Sequence, residues 1–213
     1  MLQQVLTCPV TTASGTTLRL CDIPMASTLR ELKFTYRPQS DLSGDELRRL
    51  LEENGITPPE AWSHAMSRFQ NLTGAIDLLF RNPADGKFYI VDWKTNILNG
   101  SVESFTDEGI KAEIDRRFYL LQCVLYTLVF IQYYRQTMHG NELAALSGDE
   151  LVAKREAYGR KAYDSFGGCM DIFVRGVDGT SNHGIHTLMP SYELIKALDE
   201  TIGVCHADSV GRN

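Results

Sequence analysis

The chain has no cysteine pair at metal-binding spacing. Its five cysteines (Cys8, Cys21, Cys123, Cys169 and Cys205) are scattered and odd in number, and no Cys-x-x-Cys occurs. A zinc ribbon and a disulfide framework are therefore excluded, and a C-terminal cysteine cluster for an iron–sulfur centre is absent too. Reduced, partly buried thiols suit a cytoplasmic location. No apolar run reaches the ~18 residues of a membrane span, and no basic stretch leads into an apolar one near the N-terminus. Neither a membrane helix nor a signal peptide is expected. There is no Gly-x-x-x-x-Gly-Lys-Ser/Thr, so ATP hydrolysis belongs elsewhere. Repeats and low-complexity tracts are missing. Positive charge is also short: 21 Lys and Arg face 27 Asp and Glu, a net charge of −6. Since phosphate contacts dominate sequence-independent nucleic-acid affinity, this balance argues against a domain that grips DNA unaided. Local basic groups exist at Lys111, Arg116 and Arg117 and at Lys154, Arg155, Arg160 and Lys161. They read as solvated helix faces or as strand contacts. What remains is ordinary for a globular chain: 213 residues, 43% hydrophobic and 23% charged, enough for one core.

Two short runs carry chemistry, Gly74-Ala-Ile-Asp77 and Val91-Asp92-Trp93-Lys94. Each lies in a segment rich in strand formers, residues 72–80 and 87–94, and the turn signal Asn82-Pro-Ala-Asp-Gly86 separates them. Side chains alternate along a strand, so Asp92 and Lys94 share a face and Trp93 takes the other. An even connection places Asp77 opposite an even-numbered residue near Ile90 or Asp92; an odd one turns it away. With even parity, two carboxylates and one amine converge. Two close carboxylates raise each other's pKa, and a bound divalent cation removes that penalty. Two anionic ligands for a cation, with an amine beside a scissile phosphate, are what metal-assisted phosphodiester cleavage requires.

A third run, Tyr119-Leu-Leu-Gln122-Cys-Val-Leu-Tyr126, has helical spacing. Tyr119, Gln122 and Tyr126 share one face, while Leu121, Val124, Leu125 and Leu128 form an opposite, core-facing stripe. A long helix is expected over about 107–137, a polar connection over 139–148 and a further helix over about 148–161. Residues 169–176 and 184–188 read as strands, with Ser191 opening a terminal helix. Upstream, 29–36 alternates as a strand carrying Glu31, and 43–54 reads as a helix with a Ser43/Glu46 capping box and a stop at Gly55. Strands mixed with helices on both sides indicate an α/β sandwich around a mixed sheet.

These motifs resemble the PD-(D/E)xK nuclease superfamily, whose hairpin carries Asp and Asp/Glu-x-Lys. The Gln122-x-x-x-Tyr126 run is similar to the helix motif of its RecB-type branch. Phe166-Gly-Gly-Cys-Met-Asp-Ile-Phe-Val-Arg-Gly-Val-Asp178, followed by Gly184-Ile-His-Thr-Leu-Met-Pro190 and Leu194 to Asp199, looks like the end of the RecB-type C-terminal nuclease domain. This is the nuclease part of exodeoxyribonuclease V beta chains. The resemblance covers roughly residues 30–200. It implies an α/β, restriction-endonuclease-like mixed central sheet flanked by helices. The implied activity is Mg2+-dependent cleavage of DNA strands unwound by a helicase during double-strand break repair. Asp77, Asp92 and the Trp93 carbonyl would hold Mg2+. Lys94 would serve as base or electrostatic clamp, and Gln122, Tyr126, Tyr119 and Glu31 would contact DNA or brace the site. Implied partners are single-stranded DNA, the helicase portion of a parent chain and the gamma and alpha subunits, with no membrane.

One feature departs from that pattern. RecB-type nucleases carry an upstream Gly-x-x-x-His whose histidine ligates metal, and none precedes Glu31 here; the first histidine is His64. The chain is therefore expected to be a fragment or a divergent copy, with a nuclease domain over 1–204, a mobile tail over 205–213 and weak metal affinity. His64 is a candidate substitute ligand. The rival expectation is a nuclease-inactive module that docks helicase partners or guides the strand.

Overall fold

A computed structural model describes residues 2–36, 43–60, 72–98, 104–180, 182–202 and 205–208. The elements in chain order are α1 (Leu2–Thr7), β1 (Val10–Thr11), β2 (Thr17–Leu18), β3 (Thr28–Tyr36), α2 (Gly44–Glu53), β4 (Leu72–Arg81), β5 (Phe88–Lys94), α3 (Asp107–Arg117), α4 (Tyr119–Ala144), α5 (Gly148–Asp164), β6 (Phe166–Phe173), β7 (Ile185–Leu188), α6 (Tyr192–Ile202) and β8 (Cys205–Asp208). They form two compact units. The first comprises Met1–Leu32, Ile76–Cys123 and Phe166–Met189, and the second comprises Lys33–Ala75, Val124–Ser165 and Pro190–Asn213. Strands β3 and β4 and helix α4 each run from one unit into the other.

In the first unit the strand order is β7-β6-β5-β4-β3. The β4/β5 and β6/β7 pairs are antiparallel and β5/β6 is parallel. This is the mixed sheet of the restriction-endonuclease-like α/β architecture. The turn between β4 and β5 is built by its own sequence. The Asn82 amide donates to the Lys87 carbonyl (2.9 Å), the Asn82 side chain accepts from Ala84 N (3.2 Å), and Gly86 supplies the positive φ of 71°. Every residue of β6 is buried, as expected of a strand flanked on both edges and covered on both faces. One of those faces packs Phe80, Tyr89, Val91, Met170 and Ile172 against Val5 and Cys8 from the α1 region. A second cluster joins Ile110 and Ile114 of α3 to Phe105 and Phe173.

The single helix expected over 107–137 is two helices. Phe118 adopts φ 54°, ψ 41°, the left-handed conformation that ends a helix, and its side chain is buried. A non-glycine residue in this region costs roughly 1–2 kcal/mol. Burial of the Phe118 ring offsets it, and the break restarts the chain as α4 at Tyr119. Helix α4 is also less two-sided than its spacing implied. Residues 123–132 are buried on every face, as in a helix sunk in a core.

In the second unit, α2 begins with the expected capping box: Glu46 N donates to Ser43 Oγ (3.2 Å) and Ser43 N donates to Glu46 Oε2 (3.1 Å). At the start of α6, Leu194 N donates to Ser191 Oγ (3.3 Å), and Leu194, Ile195, Leu198 and Ile202 are buried. The backbone of β8 pairs antiparallel with β3, Lys33 opposite Asp208, in the segment read from sequence as a tail. No helix among the described residues is long and apolar enough to cross a membrane.

Candidate active site

The hairpin register sets the site. Leu78 pairs with Val91, Leu79 with Ile90 and Phe80 with Tyr89. One further step places Asp77 across from Asp92, on the same face. The connection of residues 82–87 is even, the parity that convergence required. Asp77 Oδ2 accepts a 2.9 Å hydrogen bond from the backbone N–H of Trp93, which ties the first carboxylate to the end of β5.

Lys94 lies at the centre of the group. Its ammonium donates to Asp92 Oδ2, lies 2.6 Å from Gln122 Oε1 and 3.3 Å from Asp171 Oδ1, and sits 3.4 Å from the centroid of the Tyr119 ring. Asp92, Lys94 and Asp171 are all buried, Asp171 to 2% exposure. Burial pushes the Asp92 carboxyl up to about 6; the charge of Lys94 opposes this, while Asp171 and Asp77 add to it. For Lys94, burial works against the charged form, but Asp171 and Asp92 outweigh it and the pKa is raised. The amine is thus held as an ammonium.

Tyr119 is fixed from behind. Its hydroxyl donates to Asn96 Oδ1 (3.2 Å), and Asn96 Nδ2 donates to Glu113 Oε1 (2.6 Å). Glu113 in turn pairs with Arg116 and Arg117, so those two members of the first basic group are engaged on their own helix. Trp93 points to the opposite face of β5, where it packs against the buried cluster of Phe80, Tyr89 and Val91. Tyr126 lies in the second unit and is buried at 7% exposure. Its hydroxyl donates to the Ala75 carbonyl (2.8 Å), and the Phe34 ring meets it edge-on at 5.8 Å. A Cβ on Gly74 would lie 2.5 Å from that Phe34 ring, which is why glycine stands at the head of the first motif. Glu31 is exposed, at a positive φ of 50°, and the ammonium of Lys94 is held by other partners. His64 lies outside the described residues.

Two members of the site went unread in the sequence. Asp171 sits beside Asp92 in the parallel β5/β6 register, and His186 on β7 faces Asp171, with Nδ1 3.5 Å from Oδ2. The available signal was one charged residue inside the otherwise uncharged run Phe166–Phe173. Which strand it faces is a matter of topology.

Two carboxylates, Asp92 and Asp171, therefore hold one ammonium, with Asp77 acting on Asp92 from across the hairpin, an excess of negative charge that a cation would relieve. Asp77 and Asp92 offer hard oxygen ligands, the type suited to a divalent ion that keeps much of its water shell. Among the described residues, no group of three or more His, Cys, Asp and Glu side chains is placed to hold a metal ion. The fit is that of a two-carboxylate site.

No family model matches the chain. It is similar to the RecBCD enzyme subunit RecB of several bacteria. Identity is 28% over 199 residues with the Haemophilus influenzae protein, covering 93% of this chain and 14% of that protein. With the protein from Buchnera aphidicola of Acyrthosiphon pisum it is 30% over 181 residues, covering 83% and 14%. With the Escherichia coli K12 protein it is 31% over 130 residues, covering 61% and 9%. The chain thus spans no more than about one-seventh of these relatives.

Proposed function

We propose that this chain, a homologue of one segment of RecB, is a nuclease domain that cleaves single-stranded DNA with the help of a divalent cation, Mg2+ in the cell. The observation that supports it most is the convergence of Asp77, Asp92 and Lys94 on one face of the hairpin, with Gln122 on the ammonium. Asp77 and Asp92 would hold the cation, with the Trp93 carbonyl as a further oxygen. When bound, such an ion supplies positive charge to the phosphate and acidifies a water molecule. The residues of the chain do the rest. Lys94 presents a charged ammonium to the phosphate and meets the negative charge that grows on its oxygens. Gln122 and Tyr119 hold that ammonium in line. Tyr126, through Ala75, anchors β4 two residues before Asp77. The net charge of −6 accords with a domain to which a strand is delivered by the helicase portion of a longer chain and its partner subunits.

The test is single-turnover cleavage of an end-labelled single strand with Mg2+, comparing the wild type with Lys94→Ala. Lys94-dependent cutting supports the reading. A chain that remains inert with Mg2+ and with Mn2+, while helicase subunits still assemble on it, replaces it with the docking module.

A further inference from the structure

An ammonium has three N–H donors. Those of Lys94 are surrounded by three oxygen acceptors, Asp92 Oδ2, Gln122 Oε1 and Asp171 Oδ1, with the Tyr119 ring closing the remaining side. In this arrangement no donor remains for a phosphate. If Asp92 gives its charge to a cation, one donor is released. The ammonium then stays beside that cation only if another anion holds it. Asp171 meets the requirement. It is buried at 2% exposure on a strand whose every residue is buried, in register with Asp92. Its second oxygen faces Cys123 Sγ at 3.9 Å and His186 Nδ1 at 3.5 Å. That His186 nitrogen is buried and makes no hydrogen bond, so it backs the carboxylate without competing for the lysine.

We propose that Asp171 is a positioning residue: it is the counter-ion that keeps the Lys94 ammonium in the site, with one donor freed toward the phosphate, when Asp92 engages a divalent cation. This rests on the reading that Asp92 binds such a cation. Without Asp171, lysine and cation compete for the single charge of Asp92, and two positive groups meet with too little negative charge between them.

The test is a cycle of Mn2+ binding by calorimetry on the full chain, in wild type, Asp171→Asn, Lys94→Met and the double variant. Melting curves by circular dichroism check that each is folded. Asp171→Asn is expected to weaken Mn2+ on the order of tenfold, because the lysine now clings to Asp92. In the Lys94→Met background the same change should cost less than about threefold. A second readout needs no activity: the ammonium resonance of Lys94 in 15N-lysine-labelled protein. In the wild type it should persist on adding Mn2+'s diamagnetic substitute Mg2+; in Asp171→Asn it should vanish into solvent exchange. Equal Mn2+ affinity in wild type and Asp171→Asn overturns the proposal. So does equal weakening in both backgrounds, since Asp171 would then act on the cation directly. If Asp171→Asn does not fold, Asp171→Ser, which removes the same charge with less volume, must show the same loss of the resonance; no change overturns the proposal. Loss of cleavage in the wild type with the cycle intact sinks the nuclease reading alone. A wild type that binds no cation sinks both.

Discussion

Two buried groups of acids and bases can be set side by side. In the second unit, Arg135 clamps Asp199 through two hydrogen bonds, 2.7 and 3.0 Å, and Gln132 adds a third at 2.6 Å. One guanidinium meets one carboxylate in a fork, and the charges cancel. In the first unit, Lys94 meets Asp92 and Asp171 while Asp77 lies across the hairpin from Asp92. Two carboxylates share one ammonium with a third acting on Asp92, and the charges do not cancel. Both groups place a carboxylate, a base and a glutamine in a buried setting. The balanced one is finished as it stands and reads as structure. The unbalanced one holds an amine charged and a carboxyl up to about 6, conditions that stability alone does not call for and that a cation would resolve.

The largest effect should come from Lys94. Lys94→Ala is expected to lower single-turnover cleavage about 10²–10³-fold, the usual loss on removing one electrostatic stabiliser. Cleavage within threefold of wild type would make the unbalanced group structural like the other. Arg135→Ala should do the opposite. It leaves Asp199 without its base and should cost about 3 kcal/mol of stability by urea unfolding, at the low end for breaking a buried pair because Asp199 is partly exposed. Mn2+ affinity should be unchanged in that variant.

The next effect is a pH dependence of the metal-free chain. The Asp92 carboxyl is raised from 3.8 to about 6, so between these values the folded state binds more protons than the unfolded one. Stability on this account is present below pH 3.8 and falls as pH rises through 6, by about 3 kcal/mol. Asp92→Asn should flatten that slope in urea titrations at several pH values; an unchanged slope would mean the excess charge is held elsewhere. The smallest effects compare the glutamines. Gln132→Leu should cost about 1.5–3 kcal/mol, the worth of one hydrogen bond to a charged group, with cleavage intact. Gln122→Leu should cost no more stability but lower cleavage if the ammonium it holds is the one that meets the phosphate, as proposed.

Much of this was legible because it depends on local rules. The Ser43/Glu46 box, the Asn82–Gly86 turn and the alternation in β5 each follow from a few adjacent residues. The hairpin parity was left open by the sequence, and the six-residue connection 82–87 decided it. Legibility ended where the partner was remote. The break at Phe118 could not be read, since residues 107–137 carry continuous helical spacing and only burial of the ring explains a left-handed residue there. Tyr126 shares a helix face with Gln122 by spacing, yet its hydroxyl is committed to Ala75. Glu31 was a candidate through its place in β3, but its backbone turns left-handed and the side chain is exposed.

By itself the sequence determined the type of most elements after residue 28, the mixed α/β class, the paired acidic motifs and the lysine two residues beyond Asp92. Those are short-range properties, set by side-chain period and turn chemistry. Only the tertiary structure decided that β6 lies parallel to β5, and with it that Asp171 stands beside Asp92 and Lys94. Residues far apart in the chain meet through strand order and register. The excess of negative charge in this site is visible only once Asp171 has been brought to the same ammonium as Asp92.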